Sequence, residues 1–345
     1  MAYTTINKSS DYFNTVLWTG NGSQRTITVG FQPDFSWLKN RGTADWHKLS
    51  DSVRGATKVV ASNATNAEGT ETQKLQSFVS TGFTIGTDGE VNGNGSSQVA
   101  WNWKANGAGS ANTAGSINST VSVNTTSGFS IVKWTGTGAI GTVGHGLGSG
   151  NIPKMIIVKN LNGYDWQVYH SAMGNGKYIN LNTDAGEQTS SSRWNDTSPT
   201  DILFTVGGTG NVNQSGVESI AYCFAEKTGY SKFNSYTGNN QTGNNAPFIY
   251  TGFAPSFLLV KKYSDTNHWI IWDNKRSTKN GFNIIDKKLY ANITNAENGA
   301  DDVSFLSNGF KFNTNTGDWN EAQSYLYLCF GQSMVGSNNV PNNAR

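Results

Sequence analysis

Four histidines, His47, His145, His170 and His268, are the side chains here whose ordinary titration falls near neutral pH. None stands in an HExxH pair, and Gly144-His145-Gly146-Leu147-Gly148 lacks the serine of a GxSxG nucleophile elbow. They read as surface or turn imidazoles. Cys223 and Cys329 each lie in an apolar run without a CxxC partner, so each reads as a buried thiol. Glycoside hydrolysis needs two carboxylates flanking the scissile bond. Asp11, Asp51, Glu90, Asp165, Asp184, Glu226, Asp273 and Asp318 are available, but none recurs with a fixed partner. Gly207-Gly208-Thr209-Gly210 has no following lysine and is not a phosphate loop. Asp88-Gly89-Glu90-Val91-Asn92-Gly93-Asn94-Gly95 lacks the acidic spacing of an EF-hand loop; it reads as a hairpin turn, with a bound cation as the alternative. No catalytic, metal or cofactor constellation emerges.

The remaining chemistry is aromatic. There are 11 tryptophans, more than three small cores require. An indole can stack on a sugar face while Asn and Gln side chains bond its hydroxyls, so a saccharide-binding surface is what these residues could build. Trp194 and Trp319 lie in polar, turn-rich surroundings and are the candidate ligand-binding surface aromatics. Trp46, Trp166 and Trp269 recur in a fixed pattern and read as core anchors.

That pattern runs through the whole chain. Pro33, Pro153 and Pro255 each precede a lysine at the same distance, Lys39, Lys159 and Lys261, and a tryptophan follows each lysine: Trp46, Trp166 and Trp269. Phe13 to Gly20 corresponds to Phe129 to Gly136 and, in shorter form, to Phe233 to Gly238. Each block closes on an aromatic run, Val99 to Trp103, Ile220 to Phe224 and Tyr327 to Phe330. Asn63-Ala64-Thr65-Asn66-Ala67-Glu68 returns as Asn292-Ile293-Thr294-Asn295-Ala296-Glu297. The interval, roughly 100 to 120 residues, is too long for a solenoid unit or a propeller blade and suits one small β-domain.

Elements follow from period and turn chemistry. Phe129, Ile131 and Lys133 alternate as half-buried strands do, while Met155 to Val158 and Phe257 to Val260 are continuous apolar runs that fit central strands. Each shared proline falls at a strand start, where a missing N–H costs little. Asn-Gly and Asp-Gly pairs punctuate the runs. The expectation is an all-β chain of three tandem antiparallel β-sandwich-like repeats. Residues 1–12 would form an N-terminal arm, 13–103 the first repeat, 104–127 a flexible Gly/Ala/Ser/Asn linker, 128–228 the second repeat, 229–332 the third and 333–345 a tail.

Composition excludes other classes. Only 14% of the 345 residues are charged and 12% are aromatic, the reverse of a disordered chain. The net charge of +2 without a basic tract argues against nucleic-acid binding. No run of 18 apolar residues predicts a membrane helix. The opening residues lack the basic start and apolar stretch of a signal peptide, which predicts synthesis in a reducing cytoplasm and release by lysis.

The blocks Gly30 to Lys39, Asp51-Ser52-Val53-Arg54-Gly55-Ala56, Asp88 to Gly95 with Val99 to Trp103, Val143 to Lys159, Tyr222 to Phe233 and the terminal Val340 to Arg345 resemble a repeat-domain family of tailed-phage virion proteins, common in marine phages and cyanophages. The resemblance covers roughly residues 11–345 and implies a structural or adhesin role without known catalytic residues. On it rests the expectation of a non-enzymatic virion protein, made in the host cytoplasm, in a tail fibre or tail tip, touching the host surface, with an envelope glycan as a candidate ligand. Its partners would be other virion proteins and further copies of itself in a trimer or ring. The alternatives are a capsid decoration or tail scaffold protein, and a glycan depolymerase.

Overall fold

The computed structural model describes residues 3–279, 283–299 and 302–336; the terminal Val340 to Arg345 motif lies outside them. The chain is all-β, built from antiparallel sheets. Three larger sheets share one strand order. In the first, Phe13–Thr19 pairs with Ser97–Trp103, which pairs with Phe35–Asn40, then Lys48–Asp51. In the second, Phe129–Thr135, Glu218–Ala225, Pro153–Asn160 and Gln167–His170 follow the same order within an eight-stranded sheet. In the third it is Ser231–Thr237, Ser324–Gln332, Ala254–Lys262 and Trp269–Asp273. Pro153 opens its strand and Pro255 is second in its own, each beside a register shift against the closing strand, where a missing N–H costs little. Pro33 is buried just ahead of its strand.

Each large sheet is buried on both faces. Its outer face packs against a small sheet to enclose a private core: Trp18, Ile27, Leu38 and Phe83 in the first segment, Trp134, Val158 and Phe204 in the second, Val260, Trp272 and Phe310 in the third. The inner faces of all three meet in one shared core. Trp103 lies in its middle, with ring contacts to Phe13 and Phe35, to Phe129 and Phe224, and to Phe257 and Phe330. The continuous apolar strands are the physical consequence, since a strand covered on both faces has no polar side to show.

The same backbone contact recurs where each first strand ends. A Cβ on Gly20, Gly136 or Gly238 would fall about 2 Å from a carbonyl oxygen of Gly93, Gln214 or Glu321 respectively. Only glycine admits that approach. A buried asparagine, Asn92, Asn213 or Asn320, then accepts from the following backbone N–H, of Asn21, Thr137 or Asn239.

Several expectations need correction. Residues 104–127 are not a flexible linker. They contain the strands Ser110–Asn112 and Ser119–Asn124, which extend the second large sheet. The β-branched Val121 is buried in that segment's outer core, and Asp34 fixes the entry by accepting from the N–H groups of Ala105 (2.6 Å) and Gly107 (2.9 Å). The arm at 1–12 is not loose either: Ile6 enters the shared core, and Ser9 N–H donates to Gln332 Oε1 at 2.7 Å. In the expected tail, Ser333 is buried and residues 337–345 lie outside the described residues. Asp88 caps a single helical turn, Gly89–Asn92, instead of turning a hairpin.

Trp166 is fully buried, whereas Trp46 is 39% exposed and is not a core anchor. Trp166→Ala should therefore lower stability by roughly 3–5 kcal/mol, and Trp46→Ala should cost clearly less, because much of that ring is already in water. Urea unfolding of the two variants side by side checks both.

Candidate functional site

The residues marked by their spacing meet at three seams between the segments. At the first, Trp166 Nε1–H donates to the Ala61 carbonyl at 2.8 Å. At the second, Trp269 Nε1–H donates to the Asn180 carbonyl at 2.9 Å. At the third the donor is His47, whose Nε2 meets the Tyr290 carbonyl at 2.9 Å. So His47, not Trp46, fills the slot that Trp166 and Trp269 fill. Its backbone N–H is held by Asn63 Oδ1, as those of Trp166 and Trp269 are held by Asn182 and Asn292. A second bond repeats as well: Glu68, Glu187 and Glu297 donate their N–H groups to the carbonyls of Leu161, Tyr263 and Arg41. First to second, second to third and third to first, the seams close a ring.

These bonds explain the shared Asn63–Glu68 and Asn292–Glu297 motif: its asparagine orients the seam donor and its glutamate bonds the next segment. The glutamate carboxylates also meet buried arginines. Asp51 and Arg54 pair at 2.5 Å with Glu68 3.1 Å from Arg54, and Asp273, Arg276 and Glu297 repeat the set at 2.5 and 3.0 Å. The neighbouring segment completes each: Tyr222 Oη–H donates to Asp51 Oδ2 at 2.8 Å, and Trp101 Nε1–H to Asp273 Oδ2 at 2.9 Å. Despite complete burial, the carboxylate partners hold the Arg54 guanidinium above its ordinary range. The second segment carries His170 and Met173 where the others carry the acid and the arginine.

The recurrent lysines are buried too. Burial lowers Lys39 and Lys159 to about 8 and Lys261 to about 7. A lysine with so low a pKa suits nucleophilic chemistry only when its nitrogen is free to attack. Here each is enclosed by carbonyl oxygens. Lys159 Nζ donates to Thr65, Asn160, Gly163 and Tyr164, and Lys261 Nζ to Asp184 and Asn267. Lys39 Nζ donates to Asn40 (2.7 Å) and Thr43 (2.9 Å). The lysines tie loops together, two of them across a seam.

Three histidines are interior, not surface or turn groups as their flanks suggest. His47 Nδ1 accepts from Trp37 Nε1–H at 2.8 Å, which leaves Nε2 as the donor and fixes the neutral tautomer. Burial and the nearby Lys39, Arg276 and Lys48 hold it well below its ordinary pKa. His145 accepts from Leu147 N–H through Nδ1 and faces the Thr200 carbonyl through Nε2. Burial draws His170 down to about 4. His268 is half-buried, with Nδ1 2.9 Å from Asn292 Nδ2.

Trp194 and Trp319, expected at the surface, are each 1% exposed. Trp194 ends a short helix, Ser191–Trp194, and packs on Tyr169, with Nε1–H bonded to the Lys177 carbonyl. Trp319 immediately precedes the buried Asn320, in the place that Val91 and Val212 hold before Asn92 and Asn213, and it stacks edge-on against Trp272. Its packing in the fold, not the polar neighbourhood, decides its burial. Both thiols are buried, as expected.

Trp46, expected in the core, is instead the exposed tryptophan. It borders a cleft of about 160 Å³ with Lys48, Asn66, Glu71 and Lys74, floored by Val59 to Ala61. Glu90 bridges the two lysines, at 3.0 Å to Lys48 and 2.8 Å to Lys74, and Glu71 lies 3.3 Å from Lys74. Lys48 Nζ stands 5.3 Å from the indole centroid. Among the described residues no cluster of three or more His, Cys, Asp or Glu side chains could hold a metal ion.

Fold and site together define an all-β body of three segments whose recurrent buried lysines and acid–arginine sets brace loops and seams. The chain belongs to a family described as a domain of unknown function, DUF7483, which it matches over residues 8–333. No curated protein and no solved structure matches it.

The buried neutral histidines set a pH dependence. For His170 the unfolded imidazole titrates near 6.5 and the folded one near 4, so the unfolded chain takes up the proton first as pH falls. Its stabilising share is intact above pH 6.5 and is lost on the way down to pH 4, about 3 kcal/mol from this residue alone. Urea midpoints measured across that window should fall with pH, and less steeply in His170→Gln.

Proposed function

We propose that the protein is a non-enzymatic structural component of a tailed-phage particle, a tail-fibre or tail-tip element that contacts the host surface. The observation that carries this reading is the fate of the chemistry-bearing side chains. The recurrent lysines and the buried acid–arginine sets are engaged in bonds that hold the three segments together or brace their loops, and among the exposed side chains left over is an indole in a cleft. Groups so engaged suit a rigid binding body better than a catalyst. The resemblance to virion proteins and the low charge support the same reading.

The partners in this proposal are other virion proteins, further copies of the chain in a homo-oligomer, and a host envelope glycan. Synthesis in the host cytoplasm and assembly into the particle go with it. A second reading, a capsid decoration or tail scaffold protein, draws on the exposed Phe248 and Tyr250 of the edge strand Phe248–Tyr250, an apolar strip suited to protein contact.

Gold-labelled antibody against the chain should decorate the tails of purified particles. Decoration of the shell would favour the second reading, and labelling of neither would defeat both. Release of reducing sugar from host polysaccharide by the purified chain would overturn the non-enzymatic assignment.

A further inference from the structure

The segments differ at one telling position. The slot beneath the third seam is filled by the imidazole of His47, and the indole stands one residue earlier, on the surface. At the corresponding place the other segments carry polar residues, Asp165 and His268, immediately before Trp166 and Trp269. Ring closure therefore does not require an indole at position 46. Trp46 remains 39% exposed while every other tryptophan is buried. A large apolar ring left open to water beside a cleft is a feature of ligand sites.

We propose that the cleft beside Trp46 is a subsite for one neutral pyranose ring of a polysaccharide. Its volume, about 160 Å³, is below that of a pocket for a drug-sized ligand and accommodates a single ring. The indole offers a flat apolar face to the C–H side of a pyranose. Polar groups stand around it: the Glu71 carboxylate accepts from hydroxyls, the exposed Asn66 amide donates and accepts, and Lys48 donates. Charge selects against anions. Lys48 and Lys74 are already bonded to Glu90, and Lys74 also to Glu71, so no uncompensated ammonium is left for a phosphate, a sulfate or a uronate. A neutral polyol adds its hydroxyls to this network without breaking an ion pair. The inference rests on the reading that the protein contacts a host glycan, and it names where and with what class of sugar.

The test uses the full chain and follows tryptophan fluorescence and calorimetric titration with oligosaccharides of neutral pyranoses, with uronate oligosaccharides and inorganic phosphate for comparison. Neutral oligosaccharides should bind, and Trp46→Ala should weaken binding by roughly tenfold or more while the variant stays folded and its urea midpoint moves far less than that of Trp166→Ala. Trp46→Tyr should restore part of the affinity. Absence of binding by the parent chain overturns the proposal, as does binding that Trp46→Ala leaves intact or a preference for uronate or phosphate. Sugar binding lost in Trp46→Ala, together with unaltered adsorption of particles carrying that variant, would keep the subsite and overturn the host-contact reading instead.

Discussion

A ring N–H buried between two segments must find an acceptor, and in this molecule the acceptor is a main-chain carbonyl of the next segment. Trp166, Trp269 and His47 each depend on that arrangement, and so do the carbonyls of Ala61, Asn180 and Tyr290. Separating two segments would orphan donor and acceptor alike, each at a cost of about 1–3 kcal/mol if it stayed buried. Because the three bonds run in one sense around the chain, none is left at an open end. The glutamate N–H bonds to Leu161, Tyr263 and Arg41 run the opposite way across the same seams and fix the orientation of each loop.

The shared core is the apolar counterpart. Phe13, Phe129 and Phe257 come from different segments, yet all reach Trp103. A segment alone would keep its outer core and expose its inner sheet face to water, which is why the inner strands carry aromatic residues on a surface that only association covers. The N-terminal residues strengthen the third seam, which joins the ends of the chain: Ser9 and Asn7 bond the side chain of Gln332.

Use of polar groups for closure shapes what is left for function. A buried Asp–Arg pair contributes little net stability against an apolar replacement, but it fixes geometry, and losing one partner strands a charge. The second segment does without the pair, with His170 and Met173 in its place. The three segments thus share a strand order but differ in the residues that fill it. In the first segment an imidazole fills the third seam and the neighbouring indole faces outward at the Trp46 cleft.

Much of the frame was legible in the residues. Their period-two patterning and turn pairs gave an all-β chain, and the prolines and lysines marked corresponding strands because a proline at a strand start and a lysine at its end meet the same demands each time. The linker and arm were misread because small polar residues say little when partners are distant: Asp34 and the strand Phe129–Thr135 supply the order that Ala105 to Asn124 do not encode locally. Trp194 and Trp319 were misplaced for the same reason, since local polarity cannot reveal a slot formed by residues far along the chain. The sequence by itself determined strand chemistry, recurring anchors and a lack of catalytic motifs, all properties of neighbours in the chain. Only the tertiary structure decided that the segments close on one another, that His47 substitutes for an indole and that Trp46 faces water. Closure depends on contacts between residues 89, 105 and 243 positions apart, for which spacing carries no signal.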